Sequence, residues 1–191
     1  MFTPFRDVLD RGTDLYAILG NHDVIDSDGS EQMRALGMDG RWWSTTIGDV
    51  LIVGLDSNDL DDEQLRWLDE TLSETDATWR IVALHHPPYS AGYQGSRVEL
   101  RTTLVPILQR HGVQLVLSGH DHDYQRSTTM GGITYVVSGA GSGTRRTGNA
   151  AFTEVSFSWP HFVDIAAYHD HLEIRAVGAE GDVGDEFVIE G

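Results

Sequence analysis

Three short apolar runs in this chain each stop abruptly in a cluster of glycine, histidine and small polar residues, and this pattern constrains the fold more than any other feature. Asp14-Leu15-Tyr16-Ala17-Ile18-Leu19 delivers Gly20-Asn21-His22-Asp23. Trp79-Arg80-Ile81-Val82-Ala83-Leu84 ends in His85-His86-Pro87-Pro88, and Gln114-Leu115-Val116-Leu117-Ser118 ends in Gly119-His120-Asp121-His122. Runs of this length bounded by turn residues read as buried strands. Between them lie helical patterns. Leu65, Leu68 and Leu72 share one face of a helix that starts at Asp61 and Asp62. A second helix is predicted from about Val98 to Gln109, kinked at Pro106 and stopped by Gly112. Trp42 to Ile47 and Val50 to Leu55 form a predicted hairpin across Gly48-Asp49.

The last third changes character, with strands expected at Ile133 to Val137, His161 to Tyr168, Leu172 to Val177 and Phe187 to Ile189. Alternating strands and helices followed by mostly antiparallel strands predict an α/β fold, a layered sandwich of two sheets flanked by helices. With 191 residues, the chain has the length of a single domain. No apolar run approaches the roughly 20 residues of a membrane span.

Composition removes several kinds of chemistry. All 13 basic residues are arginine, since the chain has no lysine, and it has no cysteine. A Walker A loop, a kinase ATP lysine, Schiff-base catalysis, disulfides and thiolate zinc sites are therefore excluded. The 30 acidic residues leave a net charge of −17, which repels nucleic-acid backbone and anionic membranes. No Gly-x-Ser-x-Gly elbow occurs, which disfavours a serine hydrolase.

Ligands of open α/β sheets collect beyond the carboxyl ends of strands, so three polar strand ends can converge on one site. Histidine there is a good metal ligand, and His120 and His122 alternate on an extended segment so that both can face one side. Taken singly, Gly20-Asn21-His22-Asp23 also reads as a hydrogen-bonded turn and His85-His86-Pro87-Pro88 as a strand terminator. The ordered set of three argues against that plainer account.

In that order, Gly20-Asn21-His22-Asp23, His85-x-Pro87 and Gly119-His120-x-His122 resemble the last three motifs of the calcineurin-like metallophosphoesterases. The run Gly119-His120-Asp121-His122-Asp123-Tyr124-Gln125-Arg126 is most similar to the purple acid phosphatase branch, and Leu55-Asp56-Ser57 and Tyr89-Ser90 are also family-like. The resemblance implies an αββα sandwich of two mixed sheets and a pair of metal ions, iron, manganese or zinc. Asn21, His85 and His120 would bind one ion and His122 the other. His22 would contact the phosphoryl group or protonate the leaving oxygen, with Asp23 orienting its ring. His86, Tyr89 and Arg126 are candidates for substrate contact, and Arg145 and Arg146 could offer phosphate a forked donor, or simply occupy a solvated loop. The implied partner is a small-molecule phosphate ester, and the branch leans toward an extracytoplasmic setting.

The family's earlier motifs, which supply an Asp and a metal-bridging Asp, have no counterpart before Gly20. The expectation is a domain spanning residues 1–191 that lacks its first strand or strands and leaves an open sheet edge. Weak metal binding and little hydrolysis by this chain follow from that expectation. A degenerate, non-catalytic domain of the same fold is the alternative. The metallo-β-lactamase pattern fails because Tyr124 stands where it requires Asp.

Overall fold

The computed structural model describes residues 6–191. In chain order the elements are α1 (Arg6–Leu9), α2 (Asn21–Val24), α3 (Ser30–Leu36), β1 (Trp43–Ile47), β2 (Val50–Leu55), α4 (Asp62–Ser73) and β3 (Trp79–Leu84). They continue with α5 (Leu100–Thr103), α6 (Val105–Arg110), β4 (Leu115–Ser118), β5 (Tyr124–Ser127), β6 (Thr134–Ser138), β7 (Thr153–Phe157), β8 (His161–Ala167), β9 (His171–Gly178) and β10 (Val183–Glu190).

Seven strands form a mixed sheet in the order β1-β2-β3-β4-β6-β5-β7, and β10-β9-β8 form a second, antiparallel sheet. Strands β2, β3, β4 and β6 are parallel neighbours, and their register sets Leu55 beside Leu84, Leu84 beside Ser118, and Ser118 beside Val137. Four strands therefore end along one line, and whatever follows each strand is gathered at one edge.

Two apolar layers hold the sandwich together. On one face of the large sheet, Leu68 and Leu72 of α4 and Leu100, Leu104, Val105 and Leu108 around α5 and α6 pack on Leu51, Val53, Val82 and Val116. On the other face, Trp79, Ile81, Leu115 and Val136 meet Leu172, Ile174 and Ala176 of the small sheet. The Trp79 indole is fully buried and its Nε1 donates to the Tyr168 carbonyl at 2.7 Å, which ties β3 to the turn after β8. The outer face of the small sheet carries Phe162, Glu173, Arg175 and Val188 in solvent, with an Arg175–Asp164 ion pair at 2.6 Å. The layered α/β sandwich of two sheets and flanking helices is the expected one.

The hairpin, the α4 helix and strands β3 and β4 lie where periodicity placed them. The predicted helix from Val98 to Gln109 is instead two short helices broken at Leu104, because Pro106 lacks an amide proton and begins a new helix more readily than it continues one. Strands β5 and β7 were not anticipated. Segment 14–19, predicted as a strand, pairs with no strand among the described residues. Leu19 is buried, but Leu15 and Tyr16 are nearly half exposed. Side chains rather than a ladder hold this backbone, with Trp43 Nε1 donating to the Ala17 carbonyl at 2.6 Å and Asn58 Nδ2 to that of Leu19 at 3.2 Å.

Candidate metal centre

Two of the polar clusters enter the site from strand ends, and the cluster at Gly20 enters from an unpaired extended segment. Beyond β2, Asp56 is fully buried and held by the Arg41 guanidinium at 2.6 Å, while Gln64 of α4 accepts from the Asp56 amide at 2.8 Å. Ser57, next in the chain, receives the His86 backbone N–H at 2.9 Å and pairs with His86 Nδ1 at 2.9 Å. His86 is thereby fixed behind the other histidines. His85, one residue earlier, points into the open cleft. Beyond β4, His120 adopts φ +68°, a left-handed backbone that is uncommon for a residue with a side chain. Backbone strain of this kind is maintained only where the surroundings hold it.

The three clusters do converge. His85 Nε2 lies 2.8 Å from Asn21 Oδ1 and 3.1 Å from His120 Nδ1. The rings of His85, His86 and His120 sit with centroids 4.7–4.9 Å apart. Gly20 is needed for this approach, since a Cβ there would stand 2.9 Å from His85 Cε1. At the end of β6, a Cβ on Gly139 would meet the Asp121 carbonyl at 2.0 Å, so the fourth strand end also closes against the histidine motif.

A cleft of about 590 Å³ opens over these residues, lined in part by Asn21, His22, His85, His120, His122, Ser138 and Arg145. Arg145 is the single cationic side chain in that lining, and its guanidinium lies 5.0 Å from the Tyr93 ring centroid. Ser138 escaped the sequence reading. Its signal was an apolar run ending in Ser138-Gly139, the same pattern as at the other strand ends.

Several expected roles are relocated. Asp23 does not orient His22; its Oδ2 accepts from the Gly20 amide at 2.8 Å, because a carboxylate at the third position of a helix reaches back to the residue preceding that helix. His22 lines the cleft and is exposed. Tyr89 and Arg126 are absent from the cleft lining. Tyr89 packs against Tyr135 in a tilted arrangement, ring centroids 4.7 Å apart, beneath the Arg101 guanidinium. Arg126 is bound to Asp185 at 2.6 Å between the two sheets, where Tyr124 also donates to Asp185. A buried carboxylate beside a guanidinium outcompetes any contact to solvent for that charge.

The electrostatics suit metal ligation. Burial pushes His85 down to about 3, reinforced by His86, His120, His22 and His122, and burial lowers His86 to about 4 with His120 next in effect. His120 is lowered for the same first cause. All three imidazoles are therefore neutral at physiological pH and offer lone pairs. The unfolded chain binds protons on these rings below pH ~6.5, whereas the folded chain resists them, so stability present above that pH is lost as the pH falls toward 4. Thermal unfolding of metal-free wild type is expected to lose stability between pH 7 and 4.5 more steeply than His86→Asn. Parallel curves would contradict this.

The donor set fits one ion well. Asn21 Oδ1 and His120 Nδ1 both approach His85 Nε2, which groups an amide oxygen with two neutral imidazoles, donors suited to borderline first-row cations. Among the described residues, His85, His86 and His120 form the group of potential ligands, and no carboxylate belongs to it. Asp121 and Asp123, which flank His122, are buried and turned to other partners, Asp121 to Ser90 and the Gln94 and Gly95 amides, Asp123 to Gln125.

Residues 2–124 match the family described as Calcineurin-like phosphoesterase. Purple acid phosphatase 3 of Arabidopsis thaliana is 40% identical over 91 residues, covering 47% of this chain and 25% of that protein. Tartrate-resistant acid phosphatase type 5 of Oryctolagus cuniculus is 38% identical over 79 residues, covering 41% of this chain and 24% of its own length. The chain thus spans about a quarter of the length of these relatives. The structure of purple acid phosphatase PPD1 from yellow lupin (Lupinus luteus) seeds superimposes with a TM-score of 0.78 at 22% identity, over 90% of this chain and 37% of that one. With the family matched over most of the chain and three histidine-bearing segments brought to one cleft, the chain belongs to the calcineurin-like phosphoesterase family.

Proposed function

We propose that this chain carries the phosphate-ester-hydrolysing site of a metal-dependent phosphatase or phosphodiesterase acting on small molecules. The observation that carries the reading is the approach of Asn21 Oδ1 at 2.8 Å and His120 Nδ1 at 3.1 Å to His85 Nε2, just beyond the ends of β3 and β4. In this reading Asn21, His85 and His120 hold one ion and His122 contributes to a second, with iron, manganese and zinc all compatible with such donors. Bound metal would supply Lewis-acid polarisation of the phosphoryl oxygens and an acidified water. The protein's own part is positioning. His22, exposed on the cleft wall, donates to the phosphoryl group or hands a proton to the leaving oxygen. Arg145 supplies a forked donor in a chain that is otherwise strongly acidic. His86 supports the site from behind, through Ser57. The purple acid phosphatase likeness favours an extracytoplasmic setting, and no described helix is long and apolar enough to cross a membrane.

A second reading, a non-catalytic domain of the same fold, is favoured by the lack of a carboxylate in the histidine group. Metal content by mass spectrometry and hydrolysis of a phenyl phosphate separate the two. About one ion per chain is expected. Metal-dependent turnover that falls by about a hundredfold or more in His22→Asn supports the hydrolase. Metal uptake with no turnover supports the binding domain, and two ions per chain would show that carboxylates join the site in solution.

A further inference from the structure

Among the cleft-lining residues is a serine, paired with a histidine, that the hydrolase reading leaves unused. Ser138 ends β6 and lines the cleft, and its Oγ lies 3.0 Å from Nε2 of His161 at the start of β8. The other ring nitrogen, Nδ1, lies 2.9 Å from the Trp159 carbonyl. A carbonyl oxygen only accepts, so Nδ1 carries the ring proton and donates it. Nε2 of the neutral ring is then an acceptor, and the Ser138 hydroxyl must donate to it. The ring cannot easily turn, because Tyr124, Phe157 and Trp159 surround it in edge-on packing with centroids 5.2–6.0 Å away. Burial lowers the His161 pKa, partly offset by the Trp159 carbonyl and Asp123, which keeps the ring neutral.

With its proton committed to His161, Ser138 presents only lone pairs to the cleft. The dianionic phosphoryl group of a monoester offers only acceptors, so the two would repel, and phosphoryl oxygens belong with Arg145 and His22 instead. We propose that Ser138 reads a hydroxyl group on the alcohol part of the substrate, so that this cleft takes the phosphate ester of a polyol or sugar in preference to that of a phenol. The inference rests on the phosphate-ester reading above and adds the class of ester. His161 is a positioning residue, acting through Ser138.

The test is calorimetric titration of the manganese-loaded chain with methyl phosphate, glycerol 2-phosphate and phenyl phosphate at about pH 8, where the phosphoryl group of each monoester is a dianion without a donor proton. In Ser138→Ala the preference for glycerol 2-phosphate over phenyl phosphate is expected to fall about three- to tenfold, the loss of one hydrogen bond, with methyl phosphate affinity unchanged. In His161→Phe the serine is free to donate to phosphoryl oxygens, so methyl phosphate is expected to bind more tightly and the same preference to narrow. Methyl phosphate binding with an unmoved preference overturns this inference alone, and so does equal weakening for both other esters. Failure of the wild type to bind any of the three overturns the phosphate-ester reading and this inference together. Nitrogen-15 NMR of the wild type gives a check that needs no variant. A proton on His161 Nδ1 is expected, and a proton on Nε2 would sink the assignment.

Discussion

His85→Ala is expected to reduce metal affinity by at least about a hundredfold, as removal of a direct ligand should cost no less than loss of a supporting contact. His85 is the hub of the site, since its Nε2 is the atom that both Asn21 Oδ1 and His120 Nδ1 approach. Without it, the remaining pair is an amide and one imidazole, too few donors to displace the water of a first-row cation. His85 is only partly buried and lines the open cleft rather than the apolar core. The metal-free variant is therefore expected to fold with little loss, which separates a ligand role from a packing role. Metal titration followed by calorimetry, with circular dichroism on the same sample, decides the matter. Unchanged affinity in a folded variant would mean that the ion, if any, sits elsewhere.

Asp121→Ala should produce the largest loss of stability outside the apolar core. The carboxylate is fully buried and accepts from the Ser90 hydroxyl, from the Gln94 amide at 2.6 Å and from the Gly95 amide at 3.1 Å. Gly92 is required beside it, for a Cβ there would lie 2.5 Å from the carboxylate carbon. Removing the acceptor strands three donors, and the expected cost is about 3 kcal/mol or more, seen as a drop in melting temperature of about 10 °C for a domain of this size. The consequences reach the site because Asp121 sits between His120 and His122, and Gln94 is among the residues lining the cleft. His120 holds a left-handed backbone that its neighbours must maintain. Asp121→Asn restores one acceptor but turns an N–H₂ toward other donors, so it should recover only part of the loss. An alanine variant that melts within about 2 °C of wild type would show that the loop from Ser90 to Ser96 is held by other contacts.

Much of this architecture was legible in the chain because short-range physics determines it. The apolar runs at Trp79–Leu84 and Leu115–Ser118 are buried on both faces and read as continuous hydrophobic strands. Helix α4 announces itself by Asp61 accepting from the Gln64 amide at 2.8 Å and by the Leu65, Leu68, Leu72 face. Strand β5 was hidden because Tyr124-Gln125-Arg126-Ser127 carries almost no apolar signal. Its polar groups are satisfied by partners distant in sequence, such as Gln125 Oε1 accepting from the Ala91 amide at 2.7 Å. Segment 14–19 misled for the converse reason. It has the composition of a strand, but a strand also needs a neighbour with which to pair, and composition carries no information about neighbours.

The same division runs through the site. Residue type and order singled out the segments holding Asn21, His85, His120 and His122, since glycine and histidine at the ends of successive apolar runs have few structural uses, and the family resemblance implied their roles as ligands. Which way each side chain turns was decided only in three dimensions. Asp23 bends back to Gly20, Arg126 is claimed by Asp185, and Ser138 is turned by His161, all through contacts formed once the strands are in register. Local sequence determines where a strand begins and stops. The partner that wins a polar side chain is the one the folded chain brings within 3 Å, and that competition is settled by tertiary packing.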